Sequence, residues 1–376
     1  MGNNRLINAA NLHVGGAVQV VSSFLWELSQ FDVSGSKLSI VLSSEVAKAA
    51  GNLEALRASG VEDVREYDIR GFDFRNWAAR DHADQFSTVF TLFGPLYRWR
   101  PPFKSIVGFA QPWIIYPNNE VYSMLRPMQR FKTRIKYWIQ SIFFKRSDVI
   151  VVELDHVKEG LVRELGIDPA KIHVIRNCVS SIYSNETLWQ SVNIPPLDSG
   201  LKLGFVGRNH LHKNTAVFPE IISKLRERYG IVAKFYVTFS DEEWRGASET
   251  FRESCINVGP LVPSQCPRFY QAMDAVVFPS LLECFSATPL EAMAMEKPLF
   301  ASDRAFNRDV CGNHAIYFDP LSAEDAAKAI AEAFEKGKPD RASLIAARDH
   351  AFSFSSPAER AQRYLDLFEI TESQRL

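Results

Sequence analysis

The clearest structural signal in the sequence is the stretch DAVVFPSLLECFSATPLEAMAMEKPLFAS, residues 274–302. A short apolar run that ends at about Ser280 predicts a buried strand, and a second run at 298–302 predicts another. Between them, TPLE (288–291) has the form of a helix start, with the threonine as N-cap and the proline at the first helical position. The stretch therefore predicts a strand, a helix and a second strand.

The same alternation continues along the whole chain. Amphipathic segments, among them 17–29, 215–229, 266–273 and 323–335, lie between short apolar runs. The predicted strands are 5–10, 37–43, 64–69, 87–93, 104–110, 148–152, 171–175, 202–207, 233–239, 274–280, 298–302 and 315–318. Strands that alternate with helices in this way predict an α/β protein with parallel, doubly wound sheets.

One stretch, NETLWQSVNIPPLDSG (185–200), interrupts the alternation. Its proline pair, its Asp-Ser-Gly and its lack of periodicity predict an interdomain linker. A chain of 376 residues has room for two domains of about 150 to 190 residues each. We therefore predict Rossmann-like domains at 1–190 and 191–355, with a last helix at about 356–376 packing back on the first domain.

The composition narrows the class of protein. Hydrophobic residues at 46% and charged residues at 23% are typical of a well-packed globular protein. The 43 Lys and Arg residues nearly balance 44 Asp and Glu residues, which disfavours a general nucleic-acid binder. Five scattered cysteines without a CxxC pair disfavour disulfides and a structural zinc site. With no visible signal peptide and no apolar run of about 20 residues, we expect a cytoplasmic protein.

Two glutamates of the strand–helix stretch, Glu283 and Glu291, suggest a ligand. Glu291 stands at the third position of the expected helix, so its carboxylate has a structural alternative, which is to close a capping box. Glu283 precedes the helix and has no such alternative. The N–H groups around Phe285, Ser286 and Ala287, at the positive end of the helix, suit an anion. A carboxylate beside them suits sugar hydroxyls, since it accepts two hydrogen bonds.

Two loops that follow predicted strands add further candidates. LGFVGRNHLHKN places Arg208 and Lys213 beyond the carboxyl end of a strand, where open α/β sheets bind ligands. Their natural ligand is a phosphate group, although such a loop is also compatible with simple solvation. NLHVGG ends in Gly15 and Gly16, which allow a ligand close to the backbone or merely form a tight turn. A sugar nucleotide has the phosphates and the hydroxyls that these features would bind together.

These motifs resemble those of the family 4 retaining glycosyltransferases, which have the GT-B fold. The stretch from Glu283 to Glu291 matches the E-x7-E signature, and the Gly-Arg-x4-Lys pattern that ends at Lys213 resembles the family's diphosphate motif. The segment 147–177 is similar to the one that closes the family's N-terminal domain, and FSFSSPAERAQRYLDLF is similar to its final helix. The resemblance implies two Rossmann-like domains that face a central cleft.

The resemblance also implies roles for the matching residues. Arg208 and Lys213 would neutralise the donor diphosphate and stabilise the departing nucleotide. Glu283 would hold the hydroxyls of the donor sugar, and Glu291 would bind the ribose diol. The implied catalytic residues are Glu283, Arg208 and Lys213. The implied donor-binding residues are Gly15, Gly16, Arg208, Lys213, Gly259, Leu261, Glu283, Phe285, Ser286, Ala287 and Glu291.

Several positions depart from the family pattern. Cys284 and Ser286 stand where the family usually has glycine, and their side chains would narrow the pocket for the donor sugar. Gln111 takes a place where the family often has histidine. His13, beside the glycine turn, is a candidate substitute, although a loop histidine is commonly just solvated. We therefore consider Gln111 and His13 as candidates for the acceptor side of the site.

The activity implied by the resemblance is that of a hexosyltransferase. It would move a hexose, with retention, from a GDP- or UDP-linked sugar to a glycan or lipid-linked oligosaccharide in surface-polysaccharide, lipopolysaccharide or O-antigen-type biosynthesis. The sequence has no DxD motif, so we expect neither a metal nor another cofactor, with Arg208 and Lys213 supplying the positive charge. The alternatives are a nucleotide-sugar epimerase, a disaccharide synthase of the sucrose or trehalose type, and a scaffold that binds without turnover.

A basic aromatic segment, MLRPMQRFKTRIKYWIQSIFFKR (124–146), is a candidate for membrane contact. It carries seven Lys or Arg residues and no acid. Apolar side chains recur in it at helical spacing, at Met128, Phe131, Ile135, Trp138 and Ile142. Such a helix either lies on an anionic bilayer or packs its apolar stripe on the sheet as an ordinary core helix. The first alternative would place the protein at the inner face of the cytoplasmic membrane.

Overall fold

A computed structural model describes residues 4–13, 15–71, 77–335 and 340–373. The chain divides into two compact units. The first unit consists of residues 1–117, 127–177 and 355–376, and the second of residues 118–126 and 178–354. Each unit has one parallel sheet with helices packed on it, so the predicted α/β class is confirmed.

The first unit contains a seven-stranded parallel sheet. Its strands are β1 (Arg5–Ala9), β2 (Leu38–Leu42), β3 (Asp63–Glu66), β4 (Thr88–Thr91), β5 (Lys104–Gly108), β6 (Val149–Val152) and β7 (Ile172–Val174). Their order across the sheet is β3-β2-β1-β4-β5-β6-β7, and every neighbouring pair is parallel. Strands β2, β4 and β6 are buried along their whole length because helices cover both faces of a parallel sheet.

The helices of the first unit follow the strands in alternation. They are α1 (Gly16–Leu28), α2 (Ser44–Ala50), α3 (Leu53–Ala58), α4 (Trp77–Ala83), α5 (Pro112–Ile115), α7 (Pro127–Phe144), α8 (Asp155–Leu165) and α17 (Pro357–Ser373). The last helix packs in the core of this unit, where the Tyr364 ring lies 5.2 Å from that of Phe24 and 5.3 Å from that of Phe90. Residues 374–376 of the predicted final helix lie outside the described residues.

The second unit contains a six-stranded parallel sheet. Its strands are β8 (Leu201–Phe205), β9 (Ala233–Val237), β10 (Cys255–Asn257), β11 (Ala275–Phe278), β12 (Leu299–Ser302) and β13 (Ile316–Phe318). They run in the order β10-β9-β8-β11-β12-β13. Strand β10 is missing from the predicted set, because it follows α11 directly and no turn residues separate the two elements.

The helices of the second unit pack on both faces of its sheet. They are α6 (Val121–Met124), α9 (Phe218–Tyr229), α10 (Asp241–Arg245), α11 (Glu249–Ser254), α12 (Cys266–Ala272), α13 (Ala287–Ala294), α14 (Ala305–Cys311), α15 (Ala323–Glu335) and α16 (Arg341–Ser353). Local chemistry sets several of their ends. Helix α9 stops at Gly230 in the left-handed conformation, and α10 starts in a capping box between Ser240 and Glu243.

The boundary between the units differs from the predicted one at residue 190. The chain leaves the first unit at 177, because the segment that follows packs on the second unit. The Tyr183 ring lies 6.3 Å from that of Tyr270, and the guanidinium of Arg268 lies 5.1 Å from the ring of Trp189. Residues 118–126 also join the second unit, where Glu120 forms an ion pair with Arg304 at 2.7 Å.

Candidate active site

The strand order of the second unit opens a crevice between β8 and β11. From β8 the chain moves outward through β9 and β10, and then returns to place β11 on the other side of β8. The loops after β8 and β11 therefore leave the sheet in opposite directions, and ligands of open α/β sheets bind at such a switch point. Both charged motifs found in the sequence lie in these two loops.

An ion pair joins the two loops. The Nζ atom of Lys213 lies 2.7 Å from Oε1 of Glu283, and the Ser280 hydroxyl donates a hydrogen bond of 2.6 Å to the same oxygen. Glu283 is buried at 9% exposure, and a buried carboxylate needs such partners to remain charged. The structure thus brings together two of the three predicted catalytic residues.

Backbone contacts hold the same two loops in register. The carbonyl oxygen of His212 accepts hydrogen bonds from the Leu281 N–H at 2.7 Å and from the Ser280 hydroxyl at 3.2 Å. The His212 ring stacks on that of His210, with 5.6 Å between the ring centres. Burial lowers the pKa of His212 to about 4, although Glu283 opposes this shift. The ring is therefore neutral at neutral pH, and Lys213 is the cation that pairs with Glu283.

Arg208 lies in the loop after β8 but has a different partner. Its Nε atom donates to both carboxylate oxygens of Glu243, at 2.9 and 3.0 Å. The side chain is 54% exposed, and its two Nη groups are not used in this pair, so they can still donate to a ligand. Burial alone would raise the pKa of Glu243, but hydrogen bonds from the Ser240 N–H, the Arg208 side chain and the Asn209 N–H lower it.

The start of α13 differs from the prediction. The N-cap is Ser286, not Thr288, and the helix begins at Ala287. Pro289 is still tolerated, because N–H groups in the first turn have no partner within the helix. Glu291 therefore lies in the second turn, where it is too far from the N-cap to close a capping box. The predicted structural alternative for Glu291 is wrong.

Glu291 instead binds tyrosine side chains of the same unit. The Tyr270 hydroxyl donates a hydrogen bond of 2.8 Å to Oε2 of Glu291, and a hydrogen bond from Tyr183 also reaches this carboxylate. Burial raises the pKa of Glu291, while the tyrosine hydrogen bonds partly oppose this rise. Neither tyrosine was predicted, since both come from segments distant in sequence and carry no local signal.

The other predicted donor residues of this unit lie at the same edge of the sheet. Phe285, Ser286 and Ala287 are half-buried between Glu283 and the first turn of α13. Gly259 and Leu261 follow β10, two strands from β8. Gly259 has φ +88°, a left-handed conformation that favours glycine. The sheet therefore places all five beyond the carboxyl ends of its strands.

The first unit holds the remaining candidates. Gly15, with φ +77°, is the N-cap of α1, and Gly16 is its first residue. His13 is bound within this unit, because its Nε2 atom lies 2.8 Å from the carbonyl oxygen of Ile69. His13 is therefore not a freely solvated loop histidine. Gln111 is half-buried at the N-cap position of α5, just after β5.

Across the described residues, no group of three His, Cys, Asp or Glu side chains is placed to hold a metal ion. In the same part of the chain, no helix is long and apolar enough to cross a bilayer.

The part of the chain that holds these charged residues matches a known protein family. Residues 200–336 match the family described as glycosyl transferases group 1. This range, which covers most of the second unit, is similar to group 1 glycosyltransferases. The matched range covers β8 to α15 and includes Arg208, Lys213, Glu283 and Glu291. The predicted resemblance to glycosyltransferases is therefore confirmed for this range. A comparison with curated proteins found no match to the chain.

Solved structures resemble the chain over almost its full length. A glycosyltransferase from Rickettsia africae ESF-5 is 16% identical, with a TM-score of 0.68 and 100% of both chains covered. Anabaena Alr3699/HepE in complex with UDP and glucose is 12% identical, with a TM-score of 0.69 over 98% of this chain and 100% of that chain. Sucrose-phosphate synthase from Thermosynechococcus elongatus is 14% identical, with a TM-score of 0.69 over 99% and 100%. These similarities confirm the predicted GT-B fold.

Proposed function

We propose that the protein transfers a hexose from a UDP- or GDP-linked sugar to a glycan or a lipid-linked oligosaccharide, with retention of configuration and without a metal ion. The observation that carries this proposal is the pair of Lys213 and Glu283 at the switch point between β8 and β11. It sets a cation and a carboxylate side by side where a sugar diphosphate would need both.

The donor class is supported by the charges around this crevice. Arg208 is 54% exposed and has two Nη groups that can donate to a diphosphate. The Nζ atom of Lys213 carries three hydrogens, so it can donate to a phosphate oxygen while it stays paired with Glu283. The half-buried start of α13 adds backbone N–H groups at the positive end of a helix. The similar Anabaena protein is described in complex with UDP and glucose, which favours a UDP-linked sugar as the first donor to test.

The proposed mechanism gives Glu283 a positional role. Its carboxylate is engaged by Lys213 and Ser280, an arrangement that suits holding sugar hydroxyls better than attacking the anomeric carbon. The bond from the anomeric carbon to the leaving phosphate breaks as the acceptor hydroxyl attacks from the same face. The departing phosphate takes the acceptor proton, and Arg208 and Lys213 stabilise the negative charge that develops on it.

The proposed acceptor is a sugar chain of a surface polysaccharide, lipopolysaccharide or O-antigen type. We assign its contacts to the first unit, where His13 and Gln111 lie beyond the carboxyl ends of β1 and β5. An acceptor attached to a lipid would place the reaction at the inner face of the cytoplasmic membrane.

A donor panel tests this proposal. The protein is incubated with UDP-, GDP- and dTDP-linked hexoses, and thermal stabilisation and slow release of free sugar are measured. We expect one donor to stabilise the protein and to be hydrolysed. A change in the configuration of the donor sugar would point to an epimerase, and transfer to a free hexose or hexose phosphate to a disaccharide synthase. Stabilisation without turnover, even with acceptor glycans, would favour a binding scaffold and contradict the proposal.

A further inference from the structure

Helix α7 buries its more polar face and exposes its more apolar one. Its buried residues are Gln140, Ser141 and Phe144. Its large exposed apolar side chains are Met128 (65%), Phe131 (61%), Ile135 (40%) and Trp138 (65%). A helix that only packed on the sheet would bury such a stripe. The core alternative drawn from the sequence is therefore wrong for these four side chains, which form the apolar stripe of α7.

Basic side chains border this apolar stripe on both sides. Because a helix turns by about 100° per residue, Lys132 and Lys136 follow one edge of the stripe, while Arg130 and Arg134 follow the other. Lys132, Lys136 and Arg134 are exposed, and Arg130 is half-buried. No acidic residue occurs between 124 and 146. The outward face is thus apolar along its middle and positive along both margins.

A second exposed tryptophan lies beside the last turn of α7, on the side of Lys132 and Lys136. Trp99, from a loop of the same unit, is 57% exposed. The guanidinium of Arg146 lies 3.4 Å above the Trp99 ring, and the Phe143 ring lies 6.4 Å from it, edge to face. This cation–π contact holds a bulky aromatic ring and a positive charge at one place on the surface. Sequence spacing gave no sign of it.

We propose that the apolar stripe, its basic margins and Trp99 form a docking surface for an anionic lipid bilayer. Apolar side chains of such a helix enter the boundary between headgroups and acyl chains, while Lys and Arg lie among the lipid phosphates. Tryptophan is favoured at this boundary because its ring is apolar with one polar edge.

Charge complementarity favours a bilayer over a second copy of the chain. A two-fold contact through this face would set the basic margins of one copy against those of the other, which like-charge repulsion opposes. An anionic lipid surface neutralises both margins at once. The inference rests on the proposed function in one respect only. A lipid-linked acceptor would explain why the protein docks on a bilayer.

Vesicle flotation with the full chain tests this surface. We expect wild-type protein to bind vesicles of phosphatidylcholine mixed with phosphatidylglycerol but not vesicles of pure phosphatidylcholine. Added salt should release the bound protein. Lys132→Glu with Lys136→Glu should weaken binding at least about 25-fold, since one basic side chain near an anionic surface contributes about fivefold. Trp138→Ser should weaken binding at least about tenfold.

Matched variants of the same unit control for loss of folding and for net charge. Trp26→Ser changes a tryptophan of α1 that is 54% exposed, and Lys48→Glu with Lys171→Glu reverses two exposed lysines. Both should bind vesicles as wild type does. All variants should keep the wild-type melting temperature and donor hydrolysis, neither of which needs lipid.

The outcomes separate this inference from the proposed function. Wild-type protein that ignores anionic vesicles, or Trp138→Ser protein that binds them like wild type, overturns the docking surface. A dimer in lipid-free buffer that Trp138→Ser dissociates, without vesicle binding, overturns it in favour of a second copy. Vesicle binding without any donor turnover would instead support the surface and contradict the transferase proposal.

Discussion

At the scale of single residues, the two glutamates of the E-x7-E stretch have different surroundings. Glu283 is held by a cation, Lys213, and by the Ser280 hydroxyl. Glu291 is held by the neutral hydroxyls of two tyrosines, and burial raises its pKa. The first is therefore balanced by charge, whereas the second has, among the described residues, only hydrogen bonds, and no cation, to oppose the effect of burial on its pKa. An ionised Glu291 is the form that accepts two hydrogen bonds from a ribose diol.

Tyr270→Phe tests this dependence. A raised pKa means that the contribution of Glu291 to stability is present below its ordinary value of 4.5 and is lost as pH rises through the folded value. Without the Tyr270 hydroxyl the pKa rises further. We expect a loss of about 1–3 kcal/mol of unfolding free energy at pH 8, a smaller loss at pH 5, and weaker nucleotide binding.

Urea unfolding at the two pH values provides the measurement for Tyr270→Phe. Tyr229→Phe on α9 is the matched control, because among the described residues the Tyr229 hydroxyl makes no hydrogen bond. It should behave as wild type. An equal loss for Tyr270→Phe at pH 5 and pH 8 would show that the hydroxyl acts on packing and not on the Glu291 charge.

Part of the site was predictable residue by residue. Arg208, Lys213 and Glu283 carry charge in loops that follow apolar strands, and parallel strands bring such loops to one edge of a sheet. Their partners were not predictable. Glu243 was not among the predicted site residues, and nothing in the sequence linked it to Arg208. Pairing between side chains depends on the three-dimensional path of the chain, which local patterns do not record.

At the scale of elements, α17 is fastened to the first unit by a buried polar network. Arg360, fully buried on α17, donates to Asn177 and, at 3.0 Å, to the Ser23 hydroxyl of α1. Asn177 in turn donates at 2.8 Å to Glu153, just after β6. Four segments distant in sequence thus meet through one set of hydrogen bonds, and such networks are costly to leave half-satisfied.

Glu153→Gln should change how stability depends on pH. Burial raises the pKa of Glu153 to about 7, although the Asn177 hydrogen bond opposes this rise. Its contribution to stability is therefore present below its ordinary value of 4.5 and is lost as pH rises through about 7. Between pH 4.5 and 8, the unfolding free energy of wild-type protein should fall by on the order of 3 kcal/mol because of this group. The Glu153→Gln protein should not show this fall.

Unfolding free energies across this pH range check the Glu153 prediction. Glu159→Gln, which changes an exposed glutamate of α8, serves as the control and should keep the wild-type decline. Parallel profiles for wild type and Glu153→Gln would contradict the assigned role of Glu153.

The elements themselves were largely predictable, but their orientation was not. Apolar periodicity located α7 and showed that one face is apolar, yet it did not say whether that face packs inward or points outward. The start of α13 was placed at Thr288 because Thr-Pro is a strong cap signal, although Ala287 also adopts helical geometry. Periodicity reports which residues share a face, and the neighbours of that face come from the rest of the fold.

At the scale of the whole molecule, the two units share one topology, and each sheet has a switch point at which its strand order reverses. In the first sheet β1 and β4 flank the switch point, and in the second β8 and β11 do. The sequence predicted two such units but misplaced their boundary. The proline-rich stretch signalled a lack of regular structure, and irregular chain can still pack, as Trp189 does against Arg268. Composition alone does not distinguish a free linker from a packed one.

The most direct test of the central claim is nucleotide release by site variants with the donor that the panel identifies. We expect Lys213→Ala to lose nucleotide binding, and Glu283→Ala to bind the nucleotide but release it from the sugar at least about 100-fold more slowly. Lys328→Ala and Glu332→Ala, which break an exposed ion pair of 3.9 Å in the same unit, should act as wild type. Glu283→Ala protein that releases nucleotide at the wild-type rate would contradict the account.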